Sequence, residues 1–444
     1  MIHDASNDAG KSRREFVKNS GLLAGGLMAA PLLSQANFFS GSSDVIKVAL
    51  VGCGGRGTGA AIQALLTKQN VKLVAMADAF RDNLDNSLKA ILGEAEENPT
   101  IKSKIDVPEE RRFSGFDGYQ KAIPLADVVI LATPPGFRPI HFEEAVKQGK
   151  HIFMEKPVAV DPAGVQKVLA AAAIAKQKKL NVVVGLQRHY QNSYRELFKR
   201  KDLIGEITSA QAWWNNDGVW VRERKPGQTE MEYQMRNWYY FNWLCGDHIT
   251  EQHIHNIDVI NWFKGGYPVK AQGMGGRQVR NGKDHGEIFD HHYVEFTYAD
   301  GSILNSQCRH IPGTMARVDE LLIGTKGRIA TGAGSITDLK GKQLYKFDSN
   351  TDNNAYQTEH DELFEAIAKG QYKFADAENG AKSSMTSILG RMATYSGQVI
   401  EWDKAINSGL DIMPKEFSWS AAPPIVPGAD GYYPIAVPGK TKYI

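Results

Sequence analysis

The chain is poor in cysteine: only Cys53, Cys245 and Cys308 occur among 444 residues, with no C-x-x-C spacing. That excludes a disulfide framework, an iron-sulfur site and a four-thiolate zinc site. Net charge is scarce too, since 52 lysines and arginines face 50 aspartates and glutamates. No basic block with interleaved aromatics occurs, so nucleic acid is not an expected partner. Long apolar runs are missing as well. The segment Gly21 to Leu33 is mildly apolar but only about 13 residues long, short of the roughly 20 that cross a bilayer, so no permanent membrane span is expected. There is no internal repeat.

What the chain does have is a glycine-rich turn in the right company. An apolar strand from Val48 to Val51 runs into Gly52-Cys53-Gly54-Gly55-Arg56-Gly57, a G-x-G-x-x-G followed by an expected helix from Gly59 to Thr67. Gly52 permits the tight turn, Gly54 keeps a side chain away from a pyrophosphate, and Gly57 lets the helix pack closely on the sheet with its first amides facing the phosphates. A second strand, Val71 to Ala77, ends at Asp78, where a carboxylate accepts hydrogen bonds from ribose hydroxyls and repels a 2′-phosphate. The cofactor expected from this pattern is NAD, a preference that nearby Arg81 weakens.

Further buried parallel strands follow at Ala126 to Thr133, His151 to Met154 and Asn181 to Leu186. Ligands sit beyond the carboxyl ends of such strands, which brings Thr133, Pro134, His141, Glu155 and Lys156 towards the cofactor cleft. Beyond Gly205 the texture changes to alternating, aromatic-rich strands near 207–214, 269–279, 291–302 and 320–330, with hairpin turns at Asp300-Gly301 and Lys326-Gly327. The expected fold is α/β: a Rossmann domain over 45–160, then an α/β domain over 161–416 with a large, mostly antiparallel sheet. A helix over 381–400 is expected to pack back near the first domain, and 417–444 is an irregular tail.

Ser12-Arg13-Arg14-Glu15-Phe16 precedes the apolar segment, and Ser34-Gln35-Ala36 follows it as a small-residue cleavage pattern. This looks like a twin-arginine export signal over 1–36, with a linker over 37–44. It predicts a periplasmic or secreted protein. Nicotinamide cofactor is scarce there, so NAD is expected to be loaded before export and retained.

Two places carry candidate chemistry. Glu155-Lys156-Pro157 ends a buried strand, and Pro157 biases Lys156 away from helical geometry; a lysine there can hydrogen-bond a hydroxyl undergoing oxidation. The second runs from Gly246 to Asp258, GDHITEQHIHNID. Read as one helix it puts Glu251, His255 and Asp258 on one face, with His255 as a base and Glu251 as the carboxylate that orients it, while His253 points elsewhere. A metal held by His248, His253 or His255 with Glu251 is an alternative, although the spacing is no H-E-x-x-H, and a structural hydrogen-bond network is another. Arg188, His189, Tyr190, Trp214, Arg236 and Asp258, with Trp213, Trp220, Trp238 and Tyr239, suit recognition of a sugar's hydroxyls and apolar face. Asp290-His291-His292 and Arg309-His310 fit either pocket or surface.

In combination, GCGGRG at 52–57, E-K-P at 155–157 and H-x-x-D at 255–258 resemble the Gfo/Idh/MocA oxidoreductase family over roughly Ile46 to Trp402. The resemblance implies a Rossmann domain followed by an α/β domain whose sheet serves oligomerisation, with Lys156 as catalytic lysine and His255 as acid/base histidine. Glu251 falls where many members have aspartate, and His253 where many have glycine. The exported, aromatic-rich form looks most like secreted bacterial members acting on glycosides. It implies oxidation of a sugar or glycoside ring hydroxyl, at carbon 3, with alternatives in an NAD-dependent glycosidase, an inositol or other polyol dehydrogenase, and a nucleotide-responsive binding module.

Overall fold

The structure is a computed structural model and describes residues 44–443. The export signal expected over 1–36 lies outside them. Strands β1 (Ile46–Val51), β2 (Val71–Asp78), β3 (Arg112–Ser114), β4 (Val128–Leu131), β5 (His151–Met154) and β6 (Val182–Val184) form a parallel six-stranded sheet in the order β3-β2-β1-β4-β5-β6. The order reverses beside β1, which creates a crevice outside the carboxyl ends of β1 and β4. Every residue of β4, β5 and β6 is buried, as strands covered on both faces require. The sheet takes in β6, so it runs past the domain boundary expected at residue 160.

The second sheet has nine strands: β7 (Ile207–Asn216), β8 (Lys270–Gly276), β9 (His291–Thr297), β10 (Ile303–His310), β11 (Arg317–Gly324), β12 (Gly327–Ala330), β13 (Ser335–Asp338), β14 (Gln343–Lys346) and β15 (Ile400–Glu401). All neighbours are antiparallel except β7 and β10. Burial alternates along β10 and β11, because successive side chains point to opposite faces. The adjacent tryptophans separate for the same reason. Trp214 faces inward, whereas Trp213 lies on the open face under the Arg317 guanidinium, 3.3 Å from the ring centre.

The helix Ala377–Ser396 is almost entirely buried. It lies between this sheet and the helix Pro162–Gln177, and thereby joins the two layers. The tail after residue 410 has no strand or helix but is not loose: Trp419 packs at 4.6 Å from Phe116 and 4.9 Å from Phe80, ring centre to ring centre. Among the described residues no helix is long and apolar enough to cross a membrane.

Burial sets a pH limit on this fold. Burial holds His141 and His253 down to about 3 and His151 to about 4, and pushes His255, His292, His310 and His360 below the usual imidazole range as well. At these imidazoles the unfolded chain binds more protons than the folded one below about pH 6.5, so the stability these groups supply is present above that pH and is lost as pH falls towards their folded values. We expect the thermal midpoint to drop progressively between pH 7 and pH 5, measurable by calorimetry. A midpoint that rises over this interval contradicts the burial of neutral imidazoles.

Candidate functional site

The turn after β1 has the shape its glycines predict. Gly52 lies at φ +98°, and a Cβ there would meet Thr133 N at 2.4 Å. At Gly57 a Cβ would sit 1.9 Å from the Gly52 carbonyl oxygen, so the helix packs as closely as a side chain-free backbone allows. The helix Gly55–Leu66 starts earlier than the expected Gly59, and its cap Gly54 supplies no side-chain acceptor. Its first amides are left for an anion.

Asp78 closes β2 beside this turn. Its carboxylate accepts from Cys53 N at 2.7 Å and Phe80 N at 2.9 Å, and burial raises its pKa. Arg81 is turned away, tied to Asp85 and Glu109; the cation that weakened a preference for NAD is thus engaged elsewhere. Arg56 leaves the turn sideways, with Nε 2.6 Å from Glu155 Oε1 and Nη2 3.0 Å from Glu359 Oε1. It locks the glycine-rich turn to the strand end that carries Lys156. At the end of β4, the buried Arg138 guanidinium donates to the carbonyls of Leu131 and Thr133, and His141 Nδ1 lies 3.2 Å from Thr133 Oγ1.

These groups line one cavity of about 1660 Å³. Pockets for a single small ligand measure roughly 300–1,000 Å³, so there is space for a dinucleotide and a second molecule. Gly52 to Arg56, Asp78, Thr133, Pro134, His141, Glu155 and Lys156 border it, and so do Glu251, His255, Trp214 and Arg236. Gly57 lies just behind, packed on Gly52. The open amides, the ribose-side carboxylate and the volume fit a nicotinamide dinucleotide.

Lys156 Nζ donates to the Glu251 carbonyl at 2.6 Å and lies 3.1 Å from Glu251 Oε1, with both side chains 13% exposed. The expected Glu251–His255 pair is therefore not formed. The reason is local: the segment is two helices, His248–Glu251 and Ile254–Lys264, and the break at Gln252 and His253 destroys the one-turn spacing. Glu251 orients Lys156 instead. His255 borders the cavity with its ring 5.9 Å from Trp214. Its Nδ1 is buried without a partner, which leaves Nε2 to face the cavity. Burial, then the positive charge of Lys156, holds its imidazole well below the usual range, so it is neutral at neutral pH.

Four expected substrate residues are placed elsewhere. Arg188 pairs with buried Glu320. His189 Nε2 contacts Asp258 Oδ2 at 2.7 Å, and Asp258 also accepts from Asn379 and Ser383. Tyr190 donates to Asp376 at 2.7 Å. A short 3-10 turn, Gln187–Tyr190, carries Arg188, His189 and Tyr190 to buried charged partners, and of its residues Gln187 borders the cavity; Asp258 is on the helix Ile254–Lys264. Arg236 remains at the rim, paired with Asp82 at 2.8 Å and stacked 3.6 Å from the Phe80 ring centre.

The histidines do not converge on a metal as the sequence alternative had it. His253 Nε2 contacts Ser306 Oγ at 2.7 Å, His255 faces the cavity, and His248 lies against Asp247. Among the described residues, Asp247, His248 and His292 bring metal-type donor atoms within 4.8 Å of one another. The Asp247 carboxylate there already accepts from the amides of His248 and Phe289 and from the Tyr395 hydroxyl, which describes a hydrogen-bond hub. Sequence reading missed Gln252, Arg222 and Asn83 on the cavity wall. The position of Gln252, next to Glu251 and three before His255, was the available signal.

Residues 46–186 match the family model described as "Oxidoreductase family, NAD-binding Rossmann fold". Among curated relatives, a glycosyl hydrolase family 109 protein of Shewanella putrefaciens is 22% identical over 244 residues, covering 51% of this chain and 49% of that protein. An inositol 2-dehydrogenase of Rhizobium meliloti is 23% identical over 341 residues, covering 73% of this chain and 89% of that protein. The chain spans about half the length of the first two curated relatives, 44% and 49%. In solved structures, an aldose-aldose oxidoreductase from Caulobacter crescentus superposes with a TM-score of 0.60 at 18% identity, covering 81% of this chain and 100% of that one. At that identity the likeness is one of fold.

Proposed function

Residues 46–186 belong to the Gfo/Idh/MocA family of NAD-binding oxidoreductases, and from that premise we propose that the protein oxidises a ring hydroxyl, at carbon 3, of a sugar or glycoside. The single observation that carries the reading is the meeting of Lys156 and His255 in the cavity bordered by the glycine-rich turn. NAD held along the glycine-rich turn and Asp78 would take up the hydride of the alcohol carbon, and this chain's own part is at the hydroxyl, whose O–H proton passes to His255 Nε2 as the C=O bond forms. The Lys156 ammonium, aimed by Glu251, lowers the pKa of the hydroxyl and stabilises charge developing on its oxygen. A weakly basic imidazole suffices when a cation has already acidified the proton it takes.

A second reading, an NAD-dependent glycoside hydrolase acting by oxidation, elimination, water addition and re-reduction, is favoured by the match to the Shewanella protein. The match to the Rhizobium protein favours a polyol such as inositol as an alternative substrate. A panel of alpha- and beta-glycosides and inositols, read by nucleotide absorbance and product mass, separates them. A keto-sugar or keto-polyol with reduced nucleotide is the expected result. Free aglycone without reduced nucleotide supports the hydrolase. No turnover on any compound overturns the enzymatic proposal and leaves a nucleotide-responsive binding module.

The twin arginines Arg13 and Arg14 support export to the periplasm or beyond, with NAD held tightly and recycled. Loss of all nucleotide on simple dialysis contradicts that retention. The open face of the second sheet, where Met274 is 71% exposed beside Tyr293, supports its use in a homo-oligomer.

A further inference from the structure

Gln252 lies on the cavity wall between Glu251, which holds Lys156, and the helix Ile254–Lys264 that carries His255. Its side chain has two ends, and the oxygen end is engaged by a buried histidine. His310 Nε2 lies 2.9 Å from Gln252 Oε1. His310 is 1% exposed, wedged between His248 at 4.3 Å and Tyr239 at 5.8 Å, and its Nδ1 is buried without a partner. An amide oxygen can only accept, so His310 Nε2 carries the hydrogen in this contact and Nδ1 the lone pair. His310 then donates to Gln252 Oε1, and the carboxamide cannot flip without facing N–H against N–H. The Gln252 NH2 group makes no hydrogen bond to the protein among the described residues and is left as a fixed donor on the cavity wall.

We propose that Gln252 is a specificity-determining residue whose NH2 donates to an acceptor oxygen, a hydroxyl or glycosidic oxygen next to the carbon oxidised, and that His310 is the positioning residue that turns it. The substrate class that follows is a polyoxygenated ring with that neighbouring oxygen intact. This inference rests on the sugar-oxidising reading above.

The test is kinetic and uses the whole protein with NAD. Wild type, Gln252→Leu and His310→Phe are compared on an oxidised glycoside and on its monodeoxy analogues. Phenylalanine keeps the stacking volume between His248 and Tyr239 but removes the N–H. Gln252→Leu is expected to lower kcat/KM on the parent glycoside by about 10- to 100-fold, the effect of one hydrogen bond whose loss leaves a polar group unpaired. On the one analogue that lacks the partnered oxygen, the variant and wild type are expected to agree within about twofold, since the energy of the absent contact cannot be lost twice. His310→Phe is expected to follow the same pattern with a smaller loss. A Gln252→Leu loss that is equal on the parent and on every analogue, or no loss at all, overturns the inference while leaving the oxidation intact. A wild type that reduces no nucleotide with any sugar overturns the functional reading and this inference with it.

Discussion

His255→Gln lowers kcat by about 10²- to 10⁴-fold, the range over which a positioned general base accelerates proton transfer, while NADH binds as in wild type. Glutamine preserves much of the ring's length and polarity, but its amide takes no proton at any working pH. The nucleotide should be unaffected because the glycine-rich turn and Asp78 belong to the parallel-sheet elements, whereas His255 comes from the helix Ile254–Lys264. Wild type carries a matching pH signature. Burial, followed by the charge of Lys156, depresses the imidazole, so His255 stays unprotonated into the acid range. The loss of kcat/KM that it causes is expected below the usual imidazole pKa of about 6.5, and the variant should lack that limb. Steady-state rates between pH 5 and pH 9, with NADH binding followed by fluorescence, check both. Unchanged turnover removes His255 from the mechanism.

Lys156→Met lowers kcat by about 10²- to 10³-fold, the effect of removing one preorganised charge from a developing oxyanion. It also leaves Glu251 without its cation in a site where each of the two side chains is 13% exposed. Breaking such a pair is costlier than replacing both members. We therefore expect Lys156→Met to lower the thermal midpoint as well, and the double variant Lys156→Met/Glu251→Gln to recover that midpoint without recovering the rate. Glu251→Gln alone retains an oxygen that can accept from Nζ, so its loss should be smaller. Joint recovery of midpoint and rate in the double variant contradicts a chemical role for Lys156.

The parts of the site legible in the sequence were those fixed by short-range rules. A glycine-rich turn between a buried strand and a helix has one main use, and it bordered the cavity as expected. So did Lys156, because a buried strand ending before proline delivers its last residues to the crevice. Glu251 was misassigned because helical spacing holds only while the helix continues, and here it breaks at Gln252. Arg188, His189, Tyr190 and Asp258 were misplaced for a different reason. Their partners Glu320, Asp376 and Asn379 lie far along the chain, and no local pattern states that a polar strand end will be claimed by a buried charge. The positions of Gln252 and His310 are likewise a product of sheet register. His310 ends β10, whose alternation turns it inward towards the short helix.

The measurement that bears most directly on the account is an isotope transfer. Wild-type protein with NAD is incubated with a glycoside carrying deuterium at carbon 3, and the nucleotide is extracted and weighed by mass spectrometry. The account predicts reduced nucleotide that carries the deuterium on its nicotinamide ring, with none formed by His255→Gln over the same time. Consumption of the glycoside with no deuterium in the nucleotide at any time contradicts it.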